Sequence, residues 1–198
     1  MKHKGRLVRW LGGLSTLGGT AALPLILAFN QISWGAPGTS AYQIYELLNR
    51  LMAVLLLLMS AGWLGLFLRW PPGYGRWAAL LAFIGSLIMA AGTAAEFWLF
   101  TIQPYGETAS LRNAAWGAFG VGGWMLILGA TVLGVAAWRS RTWPRWCAIL
   151  LMLAVPIDLV AYFIFDSPFI GTTVLTLVIA WQLIMDGKVT GEAGTAAS

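Results

Sequence analysis

Hydrophobic residues in this chain fall into six long runs, separated by short stretches that are polar or rich in glycine and proline. A helix needs about 20 apolar residues to cross ~30 Å of hydrocarbon. The pattern therefore predicts an all-α, polytopic membrane helical bundle with six transmembrane helices. The predicted helices cover residues 11–32, 47–68, 77–100, 114–138, 146–165 and 169–185, which belong to one transmembrane domain of residues 1–188. Residues 189–198 are predicted to form a flexible cytoplasmic tail.

The amino-acid composition is typical of a protein whose surface is surrounded by lipid. Hydrophobic residues make up 59% of the chain and charged residues only 10%, against about 25% charged residues in a typical soluble domain. The first apolar run, 11–32, is longer than the ~7–15 residues of a signal-peptide core. We therefore expect it to be an uncleaved first helix.

Basic residues are distributed very unequally between the two sides of the predicted topology. Arg50 and Arg112 are placed on one side, and ten basic residues on the other. Those ten are Lys2, Lys4, Arg6, Arg9, Arg69, Arg76, Arg139, Arg141, Arg145 and Lys188. The positive-inside rule predicts that the ten-residue side, with both termini, is cytoplasmic and that Glu107 lies outside. Because the basic residues lie in short clusters between apolar runs, nucleic acid is not an expected partner.

An Arg-Trp pair opens three of the predicted helices. The pairs are Arg9-Trp10, Arg76-Trp77 and Arg145-Trp146, spaced 67 and 69 residues apart. Their spacing suggests three helical-hairpin repeats. The alternative is that every helix starting at the cytoplasmic face attracts arginine and tryptophan to the interface.

The chain lacks the residues that several kinds of cofactor or metal site require. The only histidine is His3, in the N-terminal segment, and the only cysteine is Cys147. Bis-histidine haem, a histidine-based zinc site and a cysteine-bound cluster are therefore not expected. The predicted spans contain no lysine for a retinal Schiff base. We predict no cofactor and no metal.

Asp158 is the acidic residue predicted to lie deepest. It follows Trp146 by twelve residues, which corresponds to ~18 Å of helix and to the middle of the bilayer. Exposure to lipid would cost several kcal/mol, so the side chain should face the bundle or stay protonated. Pro156 removes a backbone hydrogen bond nearby and predicts a kink. Its expected contacts are Ser60, Ser86, Thr93, Thr131, Thr172, Thr173 or Thr176.

Other charged residues lie near the predicted outer ends of the helices. Glu46 and Arg50 are one helical turn apart and can form an ion pair. The predicted outward-facing polar pocket consists of Asp158, Glu96, Arg50, Arg112, Asn113 and Glu46. The alternative is that these groups form structural ion pairs and no ligand site.

Small residues recur one turn apart in three of the predicted helices. Helix four has Ala114, Ala118 and Gly122 at this spacing, and helix one has Gly18 with Ala22. Such spacing allows close approach of helix backbones in membranes. We expect these faces to pack within the chain.

The segment from Arg139 to Trp146 reads Arg-Ser-Arg-Thr-Trp-Pro-Arg-Trp and lies between two apolar helices. It resembles the short Arg-Ser-Arg…Pro-Arg-Trp cytoplasmic loop of uncharacterised multi-pass bacterial membrane proteins in families of unknown function. The resemblance covers this loop and parts of its two flanking helices. It implies a bacterial inner-membrane protein and implies no activity.

Three classes of function are compatible with these residues. The first is a non-enzymatic, small transporter-like or ligand-binding protein that uses the polar pocket. The second is a structural or assembly subunit whose partners are other membrane subunits as well as the lipid bilayer. The third is a membrane enzyme using Asp158 or Glu96 as acid or base, although no nucleophile, metal set or histidine accompanies them.

Overall fold

The computed structural model describes residues 2–29, 39–99, 109–165 and 169–192. Within these ranges the chain forms seven α-helices and one π-helical turn, and no strand. They are α1 (Lys2–Phe29), α2 (Ser40–Arg69), α3 (Tyr74–Ala94) with the π-helical turn Ala95–Leu99, α4 (Ala109–Ser140), α5 (Arg145–Met152), α6 (Ala154–Phe165) and α7 (Phe169–Glu192). The all-α prediction is confirmed.

Four of the helical segments are long and apolar enough to cross a membrane. They are Gly5–Ala28, Ser40–Arg69, Tyr74–Leu99 and Ser110–Ser140, whereas the apolar segment Ile170–Met185 is shorter. These lengths are consistent with an integral membrane protein. The helices extend beyond the predicted apolar runs, because backbone hydrogen bonding continues past the last apolar residue. The helix α2, for example, begins at Ser40, where Thr39 accepts a hydrogen bond from the N–H of Tyr42.

Neighbouring helices in the chain pack against each other in antiparallel pairs. The helix α3 lies between α2 and α4, and α1 lies between α2 and α7. The helix α5 packs mainly on α4, and α6 packs mainly on α7. Near the middle of α1, Gly18 approaches Leu55 and Leu58 of α2, and Gly12 approaches Ala180 and Leu183 of α7. The last helix, α7, thus packs against the first helix, α1, and completes the bundle.

The pair of α3 and α4 shows the closest approach of backbones. A Cβ atom at Gly85 would lie 2.6 Å from the carbonyl oxygen of Gly122, and one at Gly129 would lie 2.7 Å from that of Ala78. Packing of Gly122 within the chain is therefore confirmed. The buried small face of α4 follows Ala115, Gly122 and Gly129, which are two turns apart.

Two residues of the small-residue face predicted for helix four lie off this line. Ala114 is exposed and Ala118 is only partly buried. Four-residue steps drift around a helix of 3.6 residues per turn, whereas seven-residue steps stay close to one face. The prediction therefore had the right type of interface and the wrong register at these two positions.

Most of the basic residues belong to helix ends and loops at one end of the bundle, which is called the basic end. Here α1, α3 and α5 begin and α2, α4 and α7 end. The short α2–α3 and α4–α5 loops meet at this end, since the rings of Trp70 and Trp143 stack edge to face at 5.3 Å. Trp143 is buried in this contact. The side chains of four other tryptophans at this end are exposed, namely Trp10, Trp77, Trp138 and Trp146.

The predicted fifth helix is interrupted. It consists of α5 and α6, which are separated at Leu153. The N–H of Leu153 donates to the carbonyl of Ile149, and that of Ile157 donates to Leu153, both at 2.9 Å. Pro156, three residues later, has no N–H to continue the helix from Met152. The break therefore falls one turn before the proline that predicted it.

Some predictions concern residues at the edge of the structure or beyond it. The helix α7 continues to Glu192, into the segment predicted as a tail from residue 189. Residues 193–198, residues 30–32 of the first predicted helix and residue 100 of the third lie outside the described residues. Glu107, which was predicted to be external, also lies outside them.

Candidate functional site

The helix α3 ends in a π-helical turn, Ala95–Leu99, at the end of the bundle opposite the basic end. The extra residue per turn in such a segment changes the direction of its side chains, and π-helical turns occur frequently at functional sites. The side chains of Glu96 and Phe97 in this turn are both buried. The turn thus carries one acidic group into an apolar environment, where it needs partners.

Glu96 finds its partner on α4. The carboxylate Oε1 of Glu96 lies 3.5 Å from Nη2 of Arg112. The same Nη2 donates to the hydroxyl of Tyr42 on α2, at 3.2 Å. The indole of Trp116, one turn after Arg112, also faces the Glu96 carboxylate. The ion pair is therefore joined by a hydrogen bond to Tyr42, and it links three helical segments.

Arg50 on α2 binds the backbone of the π-helical turn. Its Nε donates a hydrogen bond of 2.8 Å to the carbonyl of Phe97, which is among the last four carbonyls before the helix ends at Leu99. A cation near the carbonyl end of a helix is favoured by the helix dipole. Nη2 of Arg50 also lies 3.9 Å from Oε2 of Glu46, one turn before it on α2.

Aromatic rings surround these charged groups. The ring of Tyr45 packs edge to face on Phe97, with centroids 5.5 Å apart, and lies 6.1 Å from the ring of Tyr42. Asn49 donates to the carbonyl of Tyr45 at 2.9 Å, within α2. We call the group Tyr42, Tyr45, Glu46, Arg50, Glu96, Phe97 and Arg112 the polar cluster.

The four charges of the polar cluster differ in exposure. The side chain of Arg50 is 40% exposed and that of Glu46 18%, whereas Arg112 and Glu96 are exposed by only 13% and 8%. The charge that a molecule from solution meets first is therefore that of the Arg50 guanidinium. A planar guanidinium recognises carboxylates and phosphates, and the neighbouring rings offer an apolar contact surface.

Asp158 lies in a different part of the molecule, between α6 and α7. Its Oδ1 accepts a hydrogen bond of 2.8 Å from the N–H of Thr172, and its Oδ2 accepts one of 2.5 Å from the Thr172 hydroxyl. Thr172 lies in the first turn of α7, where the helix dipole favours a negatively charged acceptor. Asp158 therefore acts as an N-terminal cap that is supplied by a neighbouring helix.

A glycine makes room for this cap. A Cβ atom on Gly171 would overlap Oδ1 of Asp158 and would lie 2.8 Å from Cγ2 of Ile157. The N–H of Gly171 also faces the carboxylate. The sequence Gly171-Thr172 thus provides both the space and the donors for the side chain of Asp158.

The residues predicted to share one pocket are divided by the structure. Glu46, Arg50, Glu96 and Arg112 are brought together on α2, the π-helical turn and α4. Asp158 is instead buried against α7, with Thr172 confirmed among its expected polar contacts. Asn113 is exposed next to Arg112 on α4.

Three residues of the polar cluster were not recognised as site residues from the sequence, namely Tyr42, Tyr45 and Phe97. Tyrosines near the end of a membrane helix are typical interfacial anchors, so Tyr42 and Tyr45 alone do not indicate a site. The spacing of Tyr42, Tyr45, Glu46, Asn49 and Arg50 follows one face of a helix, and this was the available signal. The carbonyl of Phe97 had no such signal, since any residue carries a backbone acceptor.

Within the described ranges no three His, Cys, Asp or Glu side chains lie close enough to hold a metal ion. The thiol of Cys147 is buried and accepts a hydrogen bond from Nε2 of Gln182 at 3.2 Å. Comparison of the chain with protein-family models, with curated protein sequences and with solved structures finds no match.

Proposed function

We propose that this chain crosses a bacterial cytoplasmic membrane six times, with both termini in the cytoplasm. Four long apolar helices supply four crossings. The helices α5 and α6 together cover residues 145–165, about 30 Å of helix, and α7 supplies the sixth crossing. The antiparallel packing and the basic end support the cytoplasmic orientation, and the resemblance of the loop between Arg139 and Trp146 supports the bacterial membrane.

Cysteine labelling tests this topology. Ser140 and Ser110 are exposed at opposite ends of α4, and the native Cys147 thiol is buried. In intact cells, a membrane-impermeant maleimide is expected to label the Ser110→Cys variant. The Ser140→Cys variant should react only after the membrane is opened. Labelling of Ser140→Cys in intact cells would show that the orientation is the opposite of the proposed one.

We infer that the polar cluster binds a small organic anion that also carries an apolar group, as in a small transporter-like or ligand-binding protein. The observation that carries this proposal is the unequal exposure of the charges, which presents the Arg50 guanidinium beside aromatic rings while Glu96 is shielded. The hydrogen bond from Arg50 to Phe97 orients the guanidinium before a ligand arrives, which lowers the entropic cost of binding. Under this proposal the cluster faces the outside of the cell.

Phenylacetate is a suitable probe, because it combines a carboxylate with an aromatic ring. We expect purified protein in detergent to bind phenylacetate more tightly than the neutral phenylacetamide, in a ligand-detected NMR titration. Arg50→Gln should weaken phenylacetate binding about tenfold, the equivalent of one lost charge-assisted interaction of ~1.5 kcal/mol. Arg50→Lys keeps the charge but loses the planar fork, so its affinity should be intermediate.

Arg9→Gln is the matched control for this titration. It removes one exposed positive charge at the basic end, far along the bundle from the polar cluster. Its affinity for phenylacetate should equal that of the wild type. Equal affinity for phenylacetate and phenylacetamide in the wild type, or equal losses in Arg50→Gln and Arg9→Gln, would contradict an anion site at Arg50.

A structural or assembly subunit is the second candidate, and a specific observation favours it. Asp158 and Arg50 both bind backbone groups at helix ends, as expected where water cannot satisfy those groups. In that case Arg50→Gln should lower the melting temperature, and no anion should raise it. Measuring both quantities on the same variant separates the two candidates.

A further inference from the structure

The basic end has a structured surface that the polar cluster does not explain. Five arginines belong to the α2–α3 and α4–α5 loops and to the helix ends beside them. They are Arg69, Arg76, Arg139, Arg141 and Arg145. The edge-to-face contact of Trp70 with Trp143 holds these two loops together, so the arginines of both loops form one surface, called the arginine surface below.

Two arginines of this surface are positioned by aromatic rings. The guanidinium carbon of Arg76 lies 4.7 Å from the centre of the Phe67 ring, and that of Arg145 lies 5.6 Å from the centre of the Trp138 ring. Nε of Arg76 is buried, and no group in the described part of the chain accepts a hydrogen bond from it. Contact with a ring holds a guanidinium in place without neutralising its charge. Both side chains have thus lost part of their conformational freedom before any ligand binds.

The residues beside these arginines indicate an amphipathic ligand. Arg76 and Arg145 are each followed by an exposed tryptophan, Trp77 and Trp146. Exposed tryptophans favour the level of the headgroups, where the ring contacts both acyl chains and water. A molecule bound here would meet positive charge on one side and an apolar ring on the other.

The charge balance at this end favours an anion. Apart from Asp186 and Glu192 in the C-terminal part of α7, the acidic residues belong to the opposite half of the predicted topology. The ligand chemistry that fits is a phosphate attached to apolar chains. Basic surfaces between membrane helices at the cytoplasmic side bind such headgroups.

We propose that the arginine surface binds the headgroup phosphate of an anionic phospholipid, with Arg76 and Arg145 as the principal contacts. This proposal rests on insertion of the chain into a membrane and does not depend on a ligand at the polar cluster. Each arginine near an anionic headgroup adds about 1 kcal/mol to binding. Removing both should therefore weaken binding of the anionic lipid about thirty-fold.

Native mass spectrometry of the full chain in a neutral detergent provides the test. The probes are phosphatidylglycerol and phosphatidylcholine with identical acyl chains, added in equal amounts. The wild type should bind phosphatidylglycerol preferentially, and the double variant Arg76→Gln/Arg145→Gln should lose this preference. The double variant Arg6→Gln/Arg9→Gln removes the same charge from α1, where both arginines are exposed, and should retain the preference.

Three outcomes would overturn the proposal. One is an equal loss of preference in the two double variants, because charge alone would then explain lipid binding. Another is displacement of phosphatidylglycerol by millimolar inorganic phosphate, which would identify a site for a soluble anion. If the glutamine variant does not fold, Arg76→Lys/Arg145→Lys decides, since it retains the charge but lacks the planar fork. Its preference should fall several-fold, and a preference equal to that of the wild type is the third outcome.

Discussion

Replacing Gly122 with alanine is expected to lower the melting temperature of the protein in detergent by about 10 °C. The added Cβ would lie 2.5 Å from the carbonyl oxygen of Gly85 and 2.7 Å from the N atom of Met89. Both are backbone atoms of α3, so no side-chain rotation can relieve the overlap. The two helices must separate along their most extensive contact, which should cost about 3 kcal/mol. Circular dichroism at increasing temperature measures the effect.

Gly120→Ala is the matched control for this variant. It adds the same methyl group two residues earlier on α4, where nothing lies within 4 Å of the new Cβ. Alanine favours a helix over glycine by up to ~1 kcal/mol, so the melting temperature should stay unchanged or rise slightly. A similar decrease in both variants would mean that the α3–α4 contact is not the closely packed interface described above.

Replacing Asp158 with leucine is expected to destabilise the protein by about 2–4 kcal/mol. The substitution removes the acceptors of the Thr172 N–H and hydroxyl and leaves both groups in an apolar environment. Gln182 contacts Cys147 at the start of α5, and α7 begins 13 residues before Gln182, which corresponds to about 20 Å of helix. If the basic end lies at one surface of ~30 Å of hydrocarbon, the first turn of α7 remains below the other surface. Water is then not available to replace the lost acceptor.

Two further variants divide this effect into its parts. Asp158→Asn keeps an oxygen for the N–H of Thr172, and we expect it to fold with a loss of about 1 kcal/mol. Thr172→Val removes only the hydroxyl and should also cost about 1 kcal/mol. The measurement is the midpoint of unfolding by a denaturing detergent. If Asp158→Leu were as stable as Asp158→Asn, the cap on α7 would contribute nothing to the stability of the protein. The structural role assigned to Asp158 would then be contradicted.

The sequence predicted the elements of this fold well because apolar runs of helix length have few alternatives in a chain with so little charge. The exact ends were harder to predict. The helix α1 begins at Lys2 and α2 at Ser40, both ahead of the apolar runs, because backbone hydrogen bonds do not require apolar side chains. The break at Leu153 lies one turn before Pro156, because the missing N–H of the proline leaves the carbonyl of Met152 without its helical partner.

The sequence predicted four charged residues of the candidate site correctly. It did not predict correctly which of the named residues lie together. Glu46 and Arg50 were paired correctly, since their separation of one turn is a local property of the helix. Asp158 was assigned to the same pocket as Glu96, with Asp158 at the middle of the bilayer and Glu96 near the outer end of its helix. Depth along a helix does not determine the direction in which a side chain points around the bundle. The partner of Asp158 also depends on backbone donors of α7, which the sequence does not distinguish.

The dependence of Asp158 on Thr172 has a consequence for biosynthesis. A segment that enters hydrocarbon with an unpaired carboxyl group is costly to insert, and a chain that has been synthesised only to Phe165 does not yet contain Thr172. We therefore expect the last two apolar segments to leave the translocon together, as a preformed helical hairpin, rather than one after the other. A truncation after α6 should insert poorly even though its own apolar residues are complete.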